Sequence, residues 1–385
     1  MSDAPRLLFW VQHLLGIGHL KRTATLARTL AAGGFDVTVV SGGQAVPGLD
    51  LGRAALVQLA PVRAADQSFK RLIGDDDVEI DDAWRAARRD ALLGVLRRIR
   101  PDIVLTELFP FGRRQLRFEL LPLLEEAAPR AAIACSVRDI LVEPDKPGRA
   151  AEMLALTKGW YDLVLVHGDP ALIPFDRTFP LAGEIAERIR YTGYVVDPPP
   201  ANAGAAGRGE VVVSAGGGAI SEPLLRAAMA ARALTQLDGA TWRLLAGPAL
   251  SEESFRSLRR DAPAGVIVER ARPDFAALLA NCALSISQGG YNTVMDILAA
   301  GCRAVICPYA GGHETEQTLR ARLLAEKGAL HLVPEDALSP DTLARAVEAA
   351  LDGPGASAAG LDVGGAEASL RALKALLAET ERAPA

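Results

Sequence analysis

Leu284-Ser-Ile-Ser-Gln288-Gly289-Gly290-Tyr291-Asn292-Thr293-Val-Met-Asp296-Ile-Leu-Ala-Ala-Gly301-Cys-Arg-Ala-Val-Ile-Cys-Pro308-Tyr-Ala-Gly-Gly-His313-Glu-Thr-Glu316-Gln317 is the stretch whose reading decides the fold. Leu284 to Ser287 reads as a short apolar strand, two glycines break it, and Val294, Ile297, Leu298 and Gly301 recur at helical spacing. A strand that turns straight into a helix is half of a βα unit, and the turn aims the helix N-terminus at the carboxyl edge of a parallel sheet. Unpaired N–H groups and the positive dipole end suit a phosphate there. Asn292 and Thr293 stand where they can cap and donate, and Asp296, one turn further along the same face, can accept from both hydroxyls of a ribose. A second strand, Ala304 to Cys307, is stopped by Pro308. It delivers a polar loop containing His313 and ending in the adjacent Glu316 and Gln317, which can hydrogen-bond vicinal hydroxyls of a sugar. Phosphate, ribose and hexose in that order describe a nucleotide sugar.

Outward from this stretch, the chain alternates strand and helix. At 385 residues, with 50% hydrophobic and 23% charged residues, it suits two globular domains with sizeable cores. A net charge of −5 and a pI near 5.7 argue against a nucleic-acid partner, which would need a basic surface. The opening residues carry no signal-peptide pattern, and no run of about 18 apolar residues appears, so a cytoplasmic protein without a membrane span is expected. Cys135, Cys282, Cys302 and Cys307 form no C-x-x-C pair and read as free thiols in a reducing compartment.

The clearest break is Asp197-Pro-Pro-Pro-Ala-Asn-Ala-Gly-Ala-Ala-Gly-Arg-Gly209. It divides a first domain, 1–198, from a second, 210–364, with 199–209 as linker and an amphipathic helix over 365–380 at the end. The second domain opens with a strand, Glu210 to Ser214, then a loop holding Gly216, Gly217 and Gly218. The first opens with a strand, Arg6 to Gln12, then Gly16-Ile17-Gly18-His19 at the head of a helix. A dinucleotide site would want a third glycine where Lys21 stands and an acid after Val39-Val40; neither is present. An imidazole at His19 can take a proton from an attacking hydroxyl. Glu107 and Asp139 close two later strands and are the candidate carboxylate partners for it.

Asp75-Asp76-Asp77, with Asp81 and Asp82, reads as a solvated charge run before a helix rather than a metal site, and no metal is expected. Phe109 to Leu124 mixes apolar residues with Arg113, Arg114 and Arg117. It is either a buried helix with outward arginines or a peripheral contact to an anionic membrane.

The segment 284–317 resembles the donor-binding signature of glycosyltransferase-B-fold enzymes. It is closest to the MurG-like transferases and more distantly similar to the nucleotide-diphosphate-sugar glucosyl and glucuronosyl transferases, whose pattern is His-Cys-Gly-Trp-Asn-Ser-x-x-Glu, then Pro, then Asp-Gln. Gln288-Gly289-Gly290-Tyr291-Asn292-Thr293-x-x-Asp296, Pro308 and Glu316-Gln317 keep its spacing, with a neutral amide at Gln288 in place of the imidazole. The resemblance implies an α/β fold of two Rossmann-like domains facing across a cleft. It assigns donor contacts to Gly16, Gly18, Ser214, Gly216, Gly217, Gly218, His313 and the 288–317 set, and puts the base near Arg270 and Ala271. By the same analogy His19 is the catalytic base, and Glu107 of Glu107-Leu108-Phe109 is its partner. The expected activity is inverting, metal-independent transfer of a hexose or N-acetylhexosamine from a UDP-sugar, a co-substrate and not a cofactor, to an unidentified hydroxyl acceptor. Two alternatives stay open: a nucleotide-sugar hydrolase or epimerase, and a non-catalytic nucleotide-sugar-binding subunit.

Overall fold

The computed structural model describes residues 4–14, 16–66, 71–141, 148–198, 200, 204–216, 222–311 and 315–380. The chain divides into two compact units, 1–195 with 364–385, and 196–363.

In the first unit the order is β1 (Arg6–Val11), α1 (Gly18–Ala32), β2 (Asp36–Ser41), β3 (Ala55–Gln58), β4 (Arg63–Ala64), β5 (Leu72–Ile73), α2 (Asp82–Ile99), β6 (Ile103–Glu107), α3 (Arg117–Ala127), β7 (Ala132–Arg138), α4 (Arg149–Trp160), β8 (Leu163–His167) and β9 (Ile189–Tyr191). Seven strands pair in parallel in the order β3-β2-β1-β6-β7-β8-β9. The strands are apolar on both faces because helices cover both. Leu8 and Trp10 of β1 pack on the side of α2 and α3, and Leu7, Phe9 and Val11 on the side of α1. The chain runs from β1 outward to β3 and then returns to place β6 on the other side of β1. The carboxyl ends of β1 and β6 therefore flank a topological switch point, where the two loops part and leave a crevice.

The second unit repeats the scheme with β10 (Val211–Ser214), α5 (Glu222–Ala231), β11 (Trp242–Ala246), α6 (Glu252–Asp261), β12 (Val266–Arg270), α7 (Phe275–Asn281), β13 (Leu284–Ser287), α8 (Tyr291–Ala300), β14 (Ala304–Ile306), α9 (Glu316–Glu326), β15 (His331–Leu332) and α10 (Pro340–Asp352). Its sheet order, β12-β11-β10-β13-β14-β15, puts a second switch point between β10 and β13. Val211, Val213, Trp242, Leu244, Leu284 and Ile286 form its core with Leu224, Leu343 and Val347 from the covering helices.

The last helix, α11 (Gly365–Thr380), belongs to the first unit. Leu373 and Leu376 are buried in the core beside α1, and Leu370 lies over Gly33, where a Cβ would come within 2.4 Å of its methyl. The chain enters α11 at Gly365, whose N–H donates to the Tyr194 carbonyl at 3.0 Å.

Residues 109–124 turn their apolar side chains inward: Phe109, Phe111, Leu116, Leu120 and Leu124 are buried. Arg114 and Arg117 pair with Glu152. This is the packing that the buried-helix reading of the segment expects. The acidic run is local structure as well. Asp76 accepts from the Val78 N–H at 3.2 Å, Asp77 pairs with Arg63, and Asp81 caps α2 by accepting from the Trp84 N–H at 2.7 Å.

Candidate active site

At the first switch point, the loop after β1 passes Gly16, where an added Cβ would meet nothing within 4 Å, and enters α1 at Gly18 and His19. No side chain caps this helix. His19 Nδ1 lies 2.8 Å from Oε1 of Glu107, the last residue of β6. Glu107 is buried, and Arg22, one turn beyond His19, also bonds its Oε1. On the other oxygen, Ser136 Oγ donates to Oε2 at 2.6 Å. Burial alone would raise the Glu107 carboxyl, but Arg22, then His19 and Ser136, outweigh it and hold it at about 2. Glu107 is therefore a carboxylate with no proton to give. His19 is driven the other way, to about 3, by burial first and the Arg113 charge second, with Glu107 opposing. A neutral imidazole facing a carboxylate must carry its hydrogen on Nδ1, which leaves the Nε2 lone pair as a base.

Arg113 stands in the turn after β6 with φ 60, and Leu108 in the same turn has φ 70. Arg113 Nε donates to the Gln12 carbonyl at 2.8 Å, and burial, then Arg138, pushes its guanidinium down to about 10. Asp139 serves elsewhere: its carboxylate accepts from the Tyr194 hydroxyl and the Ile140 N–H, both at 2.9 Å. Of the two candidate acids, Glu107 is the one His19 touches. Arg22, Ser136 and His167 complete this cluster and were not singled out from the sequence. For Arg22 the signal was present, since His19 and Arg22 share a helix face at i, i+3.

At the second switch point, the ends of β10 and β13 are tied by the Gln288 N–H donating to the Ser214 carbonyl at 3.1 Å. Gly216 is left-handed, φ 65, and the Gln288 amide oxygen sits 3.5 Å from where its Cβ would be. Gly217, Gly218 and His313 lie outside the described residues. Helix α8 begins at Tyr291 with Gly290 as its N-cap and no side-chain cap. This corrects the expectation for Asn292 and Thr293: they occupy the second and third helical positions, and the N-cap is Gly290, which has no side chain to cap with. Asp296 follows on the next turn, half-buried.

Gly289 is what lets the motif's second half come close. A Cβ there would lie 3.3 Å from Ile306 Cγ2 and from Pro308 Cβ, and 3.4 Å from Gln317 Cβ. Gln317 Oε1 accepts from the Tyr309 N–H at 3.3 Å. Glu316, only 8% exposed, lies 3.0 Å from Nη1 of the buried Arg320, whose guanidinium sits 4.9 Å from the Tyr291 ring centroid. Arg320 thus links the first turns of α8 and α9. Arg270 is turned into its own domain, donating to the Leu250 carbonyl at 3.0 Å and stacking on Phe255 at 4.1 Å. The Ala271 N–H donates to the Ala246 carbonyl at 2.9 Å.

Residues 212–359 match the glycosyltransferase family 28 C-terminal domain. Over 359 residues the chain is 27% identical to the UDP-N-acetylglucosamine–N-acetylmuramyl-(pentapeptide) pyrophosphoryl-undecaprenol N-acetylglucosamine transferase of Ralstonia nicotianae, covering 89% of this chain and 87% of that one. Among solved structures it is similar in fold to Acinetobacter baumannii MurG, with TM-score 0.60, 17% identity and coverage of 96% and 100%. It is likewise similar to the calicheamicin glycosyltransferase CalG4, with TM-score 0.65, 17% identity and coverage of 99% and 100%.

The fold is the glycosyltransferase B fold, and the chain is similar to MurG-like transferases. The matched family region takes in the second switch point, from Val212 of β10 to beyond the end of α10. His19 and Glu107 lie outside it, and their pairing is read from the geometry of the first unit alone.

Proposed function

We propose that this MurG-like glycosyltransferase moves a hexose or N-acetylhexosamine from a UDP-sugar to a hydroxyl acceptor by a single, inverting displacement that needs no metal. The observation that carries the reading is the 2.8 Å bond from His19 Nδ1 to a fully buried, ionised Glu107. It leaves Nε2 as a lone pair with a fixed direction. In the reaction Nε2 takes the acceptor hydroxyl proton, the acceptor oxygen bonds the anomeric carbon, and the bond from that carbon to the diphosphate breaks with its electrons. Glu107 stabilises the imidazolium that forms. The N-terminus of α8, entered through the glycine N-cap Gly290, and the left-handed turn at Gly216 favour the departing negative charge. Asp296 takes the ribose hydroxyls, and Gln317, with Glu316 beside it, takes the sugar.

The donor and acceptor classes rest on the names of relatives. The Ralstonia nicotianae transferase is named for UDP-N-acetylglucosamine as donor and a pyrophosphoryl-undecaprenol acceptor, so a UDP-sugar and a lipid-linked acceptor in cell-envelope synthesis are proposed here. Contact from the cytoplasmic side is part of the same proposal. Among the described residues no helix is long and apolar enough to cross a membrane. A dTDP-sugar is the second reading, because similar folds were solved with dTDP or thymidine diphosphate bound.

The test is consumption of UDP-, dTDP- and GDP-sugars with and without a lipid-linked hydroxyl acceptor, in the presence of a chelator. Acceptor-dependent turnover that falls about 1,000-fold in His19→Ala, within the usual range for a lost general base, is expected. Sugar release without acceptor would replace the transferase reading with a hydrolase. Tight nucleotide binding without any turnover would leave a binding subunit.

A further inference from the structure

Behind the His19–Glu107 pair runs a row of buried polar side chains that the mechanism above does not use. It crosses four neighbouring strands at their carboxyl ends: Glu107 closes β6, Ser136 is its register partner in β7, His167 closes β8, and Thr192 follows β9. Ser136 and His167 have no exposed surface and Thr192 has 2%. Ser136 Oγ is 2.6 Å from Glu107 Oε2 and 2.8 Å from His167 Nε2, and His167 Nδ1 is 2.9 Å from Thr192 Oγ1.

Counting hydrogens fixes the direction of the first two bonds in this row. Ionised Glu107 can only accept, so the single hydroxyl hydrogen of Ser136 is committed to it. Ser136 must then accept from His167, which puts an imidazole hydrogen on Nε2. With the ring neutral, Nδ1 keeps a lone pair that can accept from the Thr192 hydroxyl, which also lies 2.9 Å from the Gly193 carbonyl and 3.4 Å from the Val166 carbonyl. The opposite order leaves Ser136 and Glu107 facing each other at 2.6 Å without a hydrogen between them. Burial, then the Arg22 charge, pushes the His167 imidazole down to about 3, in keeping with a neutral ring.

We infer that His167 is a positioning residue for the transfer reaction: held in the Nε2–H tautomer by Thr192, it locks the Ser136 hydroxyl onto Glu107 and so fixes the carboxylate that orients His19. It touches no reacting atom. A histidine whose only task was to fill space would require no particular tautomer and no coupling to Ser136. The inference rests on the proposed role of His19, so its first test does not depend on turnover.

In ¹⁵N-labelled protein at pH 7 the two histidine resonances that disappear in His19→Ala and His167→Gln identify the rings. The expected state for His167 is a proton on Nε2 and none on Nδ1; an Nδ1–H tautomer or an imidazolium would overturn the inference whether or not any substrate is known. The second test is a double-mutant cycle in the turnover assay. His167→Phe and Ser136→Ala should each lower kcat by about 5- to 20-fold, with the donor KM unchanged, the scale of one lost buried hydrogen bond. The double variant should be no slower than the slower single one. His167→Gln, which keeps an N–H donor and an acceptor, should recover most of the rate, and it carries the test if His167→Phe does not fold. Losses that multiply in the double variant, or a Gln variant as slow as Phe, would mean that His167 does not act through Ser136.

Discussion

His19 and His167 are both held near pKa 3 by burial, far below the ordinary histidine value of 6.5. The unfolded chain therefore binds more protons than the folded one between pH 6.5 and about 3, and stability rises with pH across that window and is lost as pH falls through it. Glu107, lowered from 4.5 to about 2, adds a further loss below pH 4.5. The urea midpoint should fall steadily from pH 7 to pH 5, and His167→Gln should flatten the slope; a midpoint unchanged over that range would contradict the burial of neutral rings. For the same reason, kcat/KM should show no limb near pH 6.5 from His19, because its base form persists well into acid. At this scale the sequence was half legible. His19 and Glu107 stand in recognisable local patterns, Gly-x-Gly-His and Glu-Leu-Phe. Ser136 and His167 do not, because what makes them partners is the lateral register of three parallel strands, and no spacing along the chain encodes that.

Among the elements, the close approach at Gly289 makes a prediction about α9. A methyl there presses on Ile306 and Pro308, which cannot move cheaply, and on the first turn carrying Gln317. Gly289→Ala should cost about 1 to 3 kcal/mol of stability, as overpacking does, and weaken donor binding several-fold. Thermal unfolding and calorimetric titration of the variant would check both, and an unchanged affinity would remove Gln317 from the donor site. For α11, Leu373→Ala empties a fully buried position against α1 and should cost about 3 kcal/mol by denaturant titration. Strand Leu284–Ser287 was readable to the residue from an apolar run bounded by breakers. The two-residue strands β4 and β5 were not, since two residues carry no alternation. The caps expected of Asn292 and Thr293 failed for a related reason. The N-cap of α8 falls at Gly290, two residues before Asn292, at a glycine that makes no side-chain bond.

For the whole molecule, two sheets each carry one switch point, and on the proposed reading the chemistry divides between them: a proton acceptor in the first unit and an anion- and diol-binding edge in the second. The division predicts separable losses. His19→Ala should lower turnover about 1,000-fold and leave nucleotide affinity within about twofold, since sites in separate cores are close to additive. The fold class was legible from βα alternation alone, whereas the acceptor was not, because the loops that would hold it carry no transferable chemistry. The most direct measurement is calorimetric titration of the full chain with UDP-N-acetylglucosamine, alongside Asp296→Asn. The expected result is one site per chain, weakened about 10-fold or more when the ribose loses its charged acceptor. No heat with UDP-, dTDP- or GDP-sugars, or an Asp296→Asn variant that binds as tightly as the parent, would contradict it.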